Sequence, residues 1–331
     1  MKLIIQIPCF NEEETLHVAL NDLPKHIDGI DEIETLIIND GSSDKTVEVA
    51  KKLGVNYIVN FKRNKGLSYG FMAGLDACLH LGADIIVNTD ADNQYNGADI
   101  PKLIKPILDG VADEVIGERP IDDTDHFSTR KKLFQHLGSW VVRKASYTNI
   151  PDAPSGFRAF SREAALRINV INNYTYTLET IIQAGRNRIA IASVPIRTNG
   201  ELRKSRLFKS MGSYIKRSAG VIVRSFMMYR PFRFFAKISI AFILPGVALG
   251  IRFLVLGGTG HVQSLILASV LVMMGAQIFV MGLQADLIAA NRKLLEDIQY
   301  RVRKQDAETG KPVADLEINK TSRDQQDLAD N

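Results

Sequence analysis

"ADIIVNTDADNQYN", residues 83–96, sets an apolar run directly against two carboxylates, Asp90 and Asp92. The run is short and apolar on both faces, which predicts a strand covered by helices. Like charges two residues apart repel unless a proton or a cation sits between them, so the strand end reads as half of a site. The same alternation recurs outward from it. Apolar runs at 3–7 (LIIQI), 34–39 (ETLIIN), 56–60 (NYIVN), 84–88 (DIIVN) and 113–117 (DEVIG) predict strands, with helices at about 12–23, 44–53, 68–81 and 99–109 between them. Strand and helix in turn make βαβ units around a mainly parallel sheet, an α/β fold. A helix over about 128–147, another at SREAALRIN and a late strand in IAIASVPIRT complete the pattern, while the rest of 118–160 is less regular.

The chain of 331 residues has room for one large domain with an appendage, or for two domains. A composition of 46% apolar and 24% charged residues is that of a folded protein. The net charge of +4 conceals an asymmetry: Arg203 to Lys237 holds ten Lys or Arg and no Asp or Glu. An anionic partner, nucleic acid or a membrane surface, is the implication. Two cysteines, Cys9 and Cys78, without CxxC spacing exclude a disulfide framework or a structural zinc site and suit a reducing compartment. The start, MKLIIQIPCF, reads as a first strand rather than a signal peptide.

Two runs, Ile238 to Gly258 and Leu265 to Leu283, are long and apolar enough to cross a hydrocarbon core of about 30 Å, the first with Arg252 snorkelling or facing a partner helix. The joining loop GGTGHVQ lacks Lys and Arg whereas both outer flanks are basic, so the positive-inside rule predicts a two-helix hairpin with both ends cytoplasmic. A helical hairpin buried in a soluble domain is the alternative. The basic segment before it, amphipathic and ended by Pro231, then lies on the anionic cytoplasmic leaflet rather than serving as a solvated charged face. A nucleic-acid role is disfavoured because these cations adjoin the hairpin and lack an interleaved aromatic platform. The expected division is 1–202 for the sheet domain, 203–232 for interfacial helices, 233–290 for the hairpin, and 291–331 for a C-terminal helix and mobile tail.

Ligands of open α/β sheets sit beyond the carboxyl ends of the strands. Three polar sets fall there: PCFNEE (8–13), NDGSSD (39–44) and TDADNQ (89–94). Each alone makes ordinary turns and caps, and Asp44 reads as an N-cap, but their joint placement at one edge favours a site. Hard oxygen donors favour Mg²⁺ or Mn²⁺, with substrate phosphates completing the shell. Neither a Walker loop nor GxGxxG is present, which leaves P-loop transfer and dinucleotide redox chemistry without support.

IPCFNEEE, NDGSSDKT, RNKGLSYG, DADNQ, PSGFRAF and the hairpin together resemble the family 2 glycosyltransferases of GT-A fold, specifically the polyprenyl-phosphate glycosyltransferases related to dolichol-phosphate mannose synthase. The resemblance covers nearly the whole chain to about residue 303. It implies a membrane enzyme of the cytoplasmic face that transfers a hexose, with inversion and with Mg²⁺ or Mn²⁺, from a nucleotide-sugar donor to a polyprenyl-phosphate lipid acceptor. It also leaves room for a homo-oligomer, a tetramer included. By the same resemblance Pro8, Phe10, Asn11 and Glu12 line the base and ribose pocket and Asp40 contacts base or ribose, although Phe10 also reads as a core residue. Asp90 contacts diphosphate and metal, Asp92 is the principal metal ligand and Gln94 joins the shell. Ser155 and Arg158 resemble acceptor-phosphate binders, since Arg can grip a phosphate through two parallel hydrogen bonds. Arg119 and Arg130 match loop arginines near the phosphates, and the basic residue after the last strand is Arg203 or Lys204. Glu179 is either a carboxylate behind the site or a plain helix residue. Rival readings are another lipid or glycan hydroxyl as acceptor, and a membrane-anchored nucleotide-sugar binder without turnover.

Overall fold

The computed structural model describes residues 1–120, 148–170, 176–200, 231–257, 262–310 and 315–319, with Arg143, Ser146, Gly220 and Val313 besides. The expected helix over 128–147, Arg130, the interfacial segment with Arg203 and Lys204, and most of the GGTGHVQ loop lie outside the described residues. The chain divides into a sheet unit, Met1–Val221 with Gln299–Asn331, and a hairpin unit, Ile222–Ile298.

The sheet unit opens with β1 (Lys2–Cys9), α1 (Leu16–Asn21), β2 (Glu32–Asn39), α2 (Thr46–Lys52), β3 (Tyr57–Asn60), α3 (Leu67–His80), β4 (Ile85–Asn88), α4 (Ile100–Leu108) and β5 (Glu114–Glu118). This is the βαβ succession that the apolar runs predict. Leu3, Ile5 and Ile7 of β1 pack into one buried layer and Ile4 into the other, so a strand covered on both faces reads as a continuous apolar run. β1 pairs in parallel with both β2 and β4, and β2 with β3, which brings the ends of β1, β2 and β4 to one edge.

Two strands depart from the expected pattern. PSGFRAF, placed in an irregular stretch, contains β6 (Arg158–Ser161), which inserts antiparallel between β4 and β5. It precedes α5 (Arg162–Arg167), α6 (Thr177–Asn187) and β7 (Ile191–Pro195), which pairs in parallel with β5. The second departure falls within the stretch expected as a mobile tail: β8 (Leu316–Ile318) pairs antiparallel with β3 and gives the eight-stranded order β7-β5-β6-β4-β1-β2-β3-β8. Glu317 of β8 bonds Lys51 and Asn60, and Asn60 N–H donates to Asp315 O at 2.8 Å. The sheet then ends on a three-residue strand carrying Glu317, a poorer template for foreign strands than a bare β3 edge would be.

The hairpin unit holds α7 (Pro231–Val255), and α8 (Val262–Thr309) begins in it. Both helices carry windows of mean hydropathy 2.2 and are long and apolar enough to cross a membrane. Small residues bring the two helices together: Ser239 Oγ donates to Gly275 O at 2.8 Å, and a Cβ on Gly275 would meet Ile243. At 48 residues α8 runs about 72 Å, far beyond a bilayer core. Its last turns belong to the sheet unit, where Arg303 bonds Asp76 and donates through Nη1 to the carbonyls of Ala165, Leu166 and Ile168. These are the orphan acceptors at the C-terminal end of α5, so one guanidinium caps a helix and anchors another.

Candidate functional site

The loops after β1 and β2 interlock through their polar side chains. Asn11, at φ 56°, accepts Ser43 N–H on Oδ1 at 2.8 Å and donates its own N–H to Ser42 Oγ at 3.0 Å. Glu12 N–H donates to Thr46 Oγ1, while the Glu12 carboxylate accepts the Thr15 hydroxyl at 2.7 Å. Asp44 accepts Thr46 N–H at 3.0 Å and Glu13 N–H at 3.1 Å, which is the capping chemistry expected of it. Those bonds outweigh burial and hold its carboxyl below the ordinary range. Phe10 is 42% exposed, which settles it as a surface ring at the strand end rather than a core residue. Pro8 is half-buried beside it.

Asp40 is turned toward the RNKG loop. Its two carboxylate oxygens accept Lys65 N–H at 2.6 Å and Gly66 N–H at 2.9 Å, so it stands at the N-terminus of α3. Burial raises its pKa, against the pull of those two amides and of Lys65. Gly41, at φ 70°, lets the loop approach, because a Cβ there would fall 2.4 Å from Arg63 C. A recess of about 260 Å³ between the first two loops includes Glu12, Glu13, Glu14 and Asp44 in its lining, a charge that suits no diphosphate.

The two remaining motifs meet through strand register. β4 and β6 pair Asn88 with Arg158, and the same register carried two residues outward sets Gly156 opposite Asp90. A Cβ on Gly156 would stand 3.2 Å from Asp90 Oδ2, 3.4 Å from Oδ1 and 3.1 Å from the Tyr176 hydroxyl. A side chain there would press Asp90 and Tyr176 to give by a few tenths of an ångström, so the glycine of SGFR eases the packing around the aspartate of DAD. Behind it lies a buried polar column: Gln6 Nε2 donates to Asn88 Oδ1 at 2.9 Å, and Asn88 Nδ2 donates to the Tyr176 hydroxyl at 2.9 Å and to Gly156 O at 3.0 Å. Tyr95, stacked on Phe157, accepts Gly156 N–H at 2.9 Å. Burial pushes the Tyr95 hydroxyl up to about 12, with Arg119 opposing and Asp90 adding to the rise.

Asp90, Asp92 and Gln94 are half-buried on the turn after β4, and Asp92 Oδ1 accepts Gln94 N–H at 3.2 Å. Two carboxylates and an amide oxygen are hard donors of the kind that suits Mg²⁺ or Mn²⁺ sharing its shell with phosphates and water. Among the described residues no three His, Cys, Asp or Glu converge as a protein-only cage would require. Arg119 stands nearby with its side chain 16% exposed, clamped through Nε at 2.7 Å and Nη2 at 2.9 Å to the buried carboxylate of Asp152. Burial works against its charge, but Tyr95, Asp152 and Asp90 raise its pKa and keep it cationic.

Arg158 corrects an expectation. It is 0% exposed, and its guanidinium donates to Glu114 Oε1 at 3.1 Å, to the Thr180 hydroxyl, to Ser155 O at 2.8 Å and to Ala153 O at 2.8 Å. Spent on internal acceptors, it shapes the PSGFR turn and offers no fork to a lipid phosphate. Ser155 is buried too, with Oγ lacking a hydrogen-bond partner among the described residues. Glu179 lies on the buried face of α6 and accepts Gln183 Nε2 at 3.4 Å. Asp152, Tyr95, Gly156 and Asn199 were not singled out in the sequence. Asp152 falls in the less regular part of 118–160, and Gly156 enters the sequence reading only as part of PSGFRAF.

An open α/β sheet whose strand ends gather two carboxylates and a clamped arginine has its ligand site beyond those ends. The sequence profile of Glycosyl transferase family 2 matches residues 4–168. The UDP-N-acetylglucosamine–dolichyl-phosphate N-acetylglucosaminyltransferase of Methanococcus voltae is 32% identical over 214 residues, which cover 58% of this chain and 83% of that protein. The undecaprenyl-phosphate mannosyltransferase of Micrococcus luteus is 27% identical over 206 residues, 59% of this chain and 83% of the relative. Among solved structures, glucosyl-3-phosphoglycerate synthase from Mycobacterium tuberculosis with Mn²⁺ and UDP-glucose superposes with TM-score 0.53 at 19% identity, over 68% of this chain and 78% of that one. This chain belongs to glycosyl transferase family 2 and is a glycosyltransferase.

Proposed function

We propose that the protein transfers a hexose, with inversion, from a UDP- or GDP-sugar to the phosphate of a polyprenyl lipid at the cytoplasmic membrane face. The observation that carries the reading is the pairing of Asp90 with Gly156, which supports it by bringing one carboxylate of DAD against the PSGFR turn. The names of the M. voltae and M. luteus relatives, both transferases to lipid phosphates, support the acceptor. Asp90, Asp92 and Gln94 would hold Mg²⁺ or Mn²⁺, which when bound offsets charge developing on the departing diphosphate. Arg119 adds a fixed positive charge beside Asp90; with its Nε and Nη2 edge taken by Asp152, the Nη1 end is left for an anion. Pro8, Phe10, Asn11 and Glu12 border the nucleoside, with Asp40 fixing the loop under it. The acceptor phosphate is already an anion at neutral pH, so positioning rather than a general base governs the rate. The two apolar helices hold the enzyme at the membrane with both ends on the cytoplasmic side.

Purified protein incubated with undecaprenyl phosphate and a panel of nucleotide-sugars should yield a lipid one hexose heavier by mass, together with free UDP or GDP. Asp92→Ala should abolish transfer with its melting temperature retained. Full activity in excess EDTA would remove the metal from the reading. Product formed only on a hydroxyl acceptor would overturn the lipid-phosphate assignment.

A further inference from the structure

The turn that carries Asp92 and Gln94 is held from outside by a residue more than a hundred positions later. Asn199 follows β7, where Thr198 bridges to Tyr95 in antiparallel fashion. Its backbone N–H donates to Gln94 O at 2.9 Å, and its side-chain Nδ2 donates to Asn93 O at 3.1 Å and to Tyr95 O at 3.4 Å. Its Oδ1 accepts Asn96 Nδ2 at 3.2 Å, and Nδ2 also reaches Asp22 Oδ2 at 3.5 Å. One asparagine therefore bonds four consecutive residues, 93 to 96. Asn93 within them has φ 55°, a left-handed conformation that asparagine adopts more readily than most residues. Asp22 closes the far side: its Oδ2 accepts Gly97 N–H at 2.7 Å, and a Cβ on Gly97 would strike Asp22 O at 2.3 Å.

We infer that Asn199 is a positioning residue for the donor site: it clasps residues 93–96 so that the Asp92 carboxylate and the Gln94 amide hold the orientation a divalent cation needs. The inference rests on the metal reading proposed above. A metal takes its ligands at fixed distances and angles, and partners outside the coordination shell that orient those ligands typically change affinity by about 10–100-fold. Asn199 acts through backbone carbonyls and touches no substrate, which separates it from Asp92.

The test measures Mn²⁺ binding by electron paramagnetic resonance on the detergent-solubilised full chain, with UDP and, separately, GDP present, alongside the metal dependence of transfer. Asn199→Ala, and Asn199→Leu which keeps the volume without the hydrogen bonds, should raise the Mn²⁺ concentration for half-saturation by about tenfold or more. kcat at saturating metal should stay near that of the wild type, and Asn199→Gln should recover part of the affinity. Arg197→Ala supplies the structural control, since the Arg197 side chain ties the same segment to Asp99, while its one bond to the turn, Asn96 N–H to Arg197 O at 3.4 Å, is made by a backbone carbonyl that alanine keeps. It should lower the melting temperature while leaving Mn²⁺ half-saturation within about twofold, well short of the effect at Asn199. Unchanged half-saturation in both Asn199 variants would overturn the clasp alone. An equal loss in Arg197→Ala, or failure of both Asn199 variants to fold, would make Asn199 merely structural and overturn it as well. A wild-type enzyme that binds no Mn²⁺ and transfers sugar in EDTA would remove the metal reading together with the clasp.

Discussion

Arg158 is tolerated at zero exposure because acceptors surround it: one carboxylate, one hydroxyl and two carbonyls. Burial raises the pKa of its partner Glu114, and Arg158 opposes that rise, so the pair is stable only as a pair. Breaking one partner of such a buried pair costs about 3–5 kcal/mol, whereas replacing both by apolar groups is often neutral. Arg158→Met should therefore destabilise the sheet unit by about that amount in chemical denaturation, and Glu114→Leu with Arg158→Met should recover most of it. In the single variant that remains folded, the KM for lipid phosphate should be unchanged. A large rise in that KM at unaltered stability would restore Arg158 to the acceptor site.

At the scale of elements, a second arginine bond makes a prediction with a defined sign. Asp99, at the start of α4, accepts Arg197 N–H at 2.7 Å and the Arg197 guanidinium at 2.8 Å, joining the segment after β7 to the N-terminus of that helix. Burial opposes its charge, yet the Arg197 and Lys102 bonds lower its pKa from 3.8 to about 2. A carboxyl depressed in the folded state contributes stability above its unfolded pKa, and that contribution fades as pH falls from about 3.8 toward about 2. Unfolding followed from pH 5 to 2 should show an acid limb that is shallower in Arg197→Ala. The elements themselves were unequally legible. β1 to β5 announced themselves because a strand covered on both faces must be apolar throughout. β6 hid because its first inward residue is Arg158, an arginine made tolerable only by Glu114 on β5. The carboxylates of DAD were readable as a local motif, but the partners of the turn were not. Asn199 and Asp152 act across long sequence separations, on backbone carbonyls and on another side chain, and neither leaves a periodic trace.

For the whole molecule, β8 is the feature that composition concealed, since three residues, LEI, inside a polar stretch carry no strand signal. Their pairing depends on the β3 edge and on Glu317 meeting Lys51 and Asn60. A chain ended after Thr309 should keep the hairpin and the Arg303 anchor but bare the β3 edge. Light scattering on heating should then show aggregation at a lower temperature than in the full chain, and equal behaviour would deny β8 a protective part.

The order of the strands along the chain also sets a schedule for synthesis. The strand that completes one border of the sheet leaves the ribosome only after both apolar helices have been made. Until then a nascent chain carries its substrate fold with β3 open, the state in which edge pairing with a neighbour is the main hazard. Synthesis of the hairpin thus precedes completion of the sheet, and the β3 border waits uncovered for a strand that the chain supplies last.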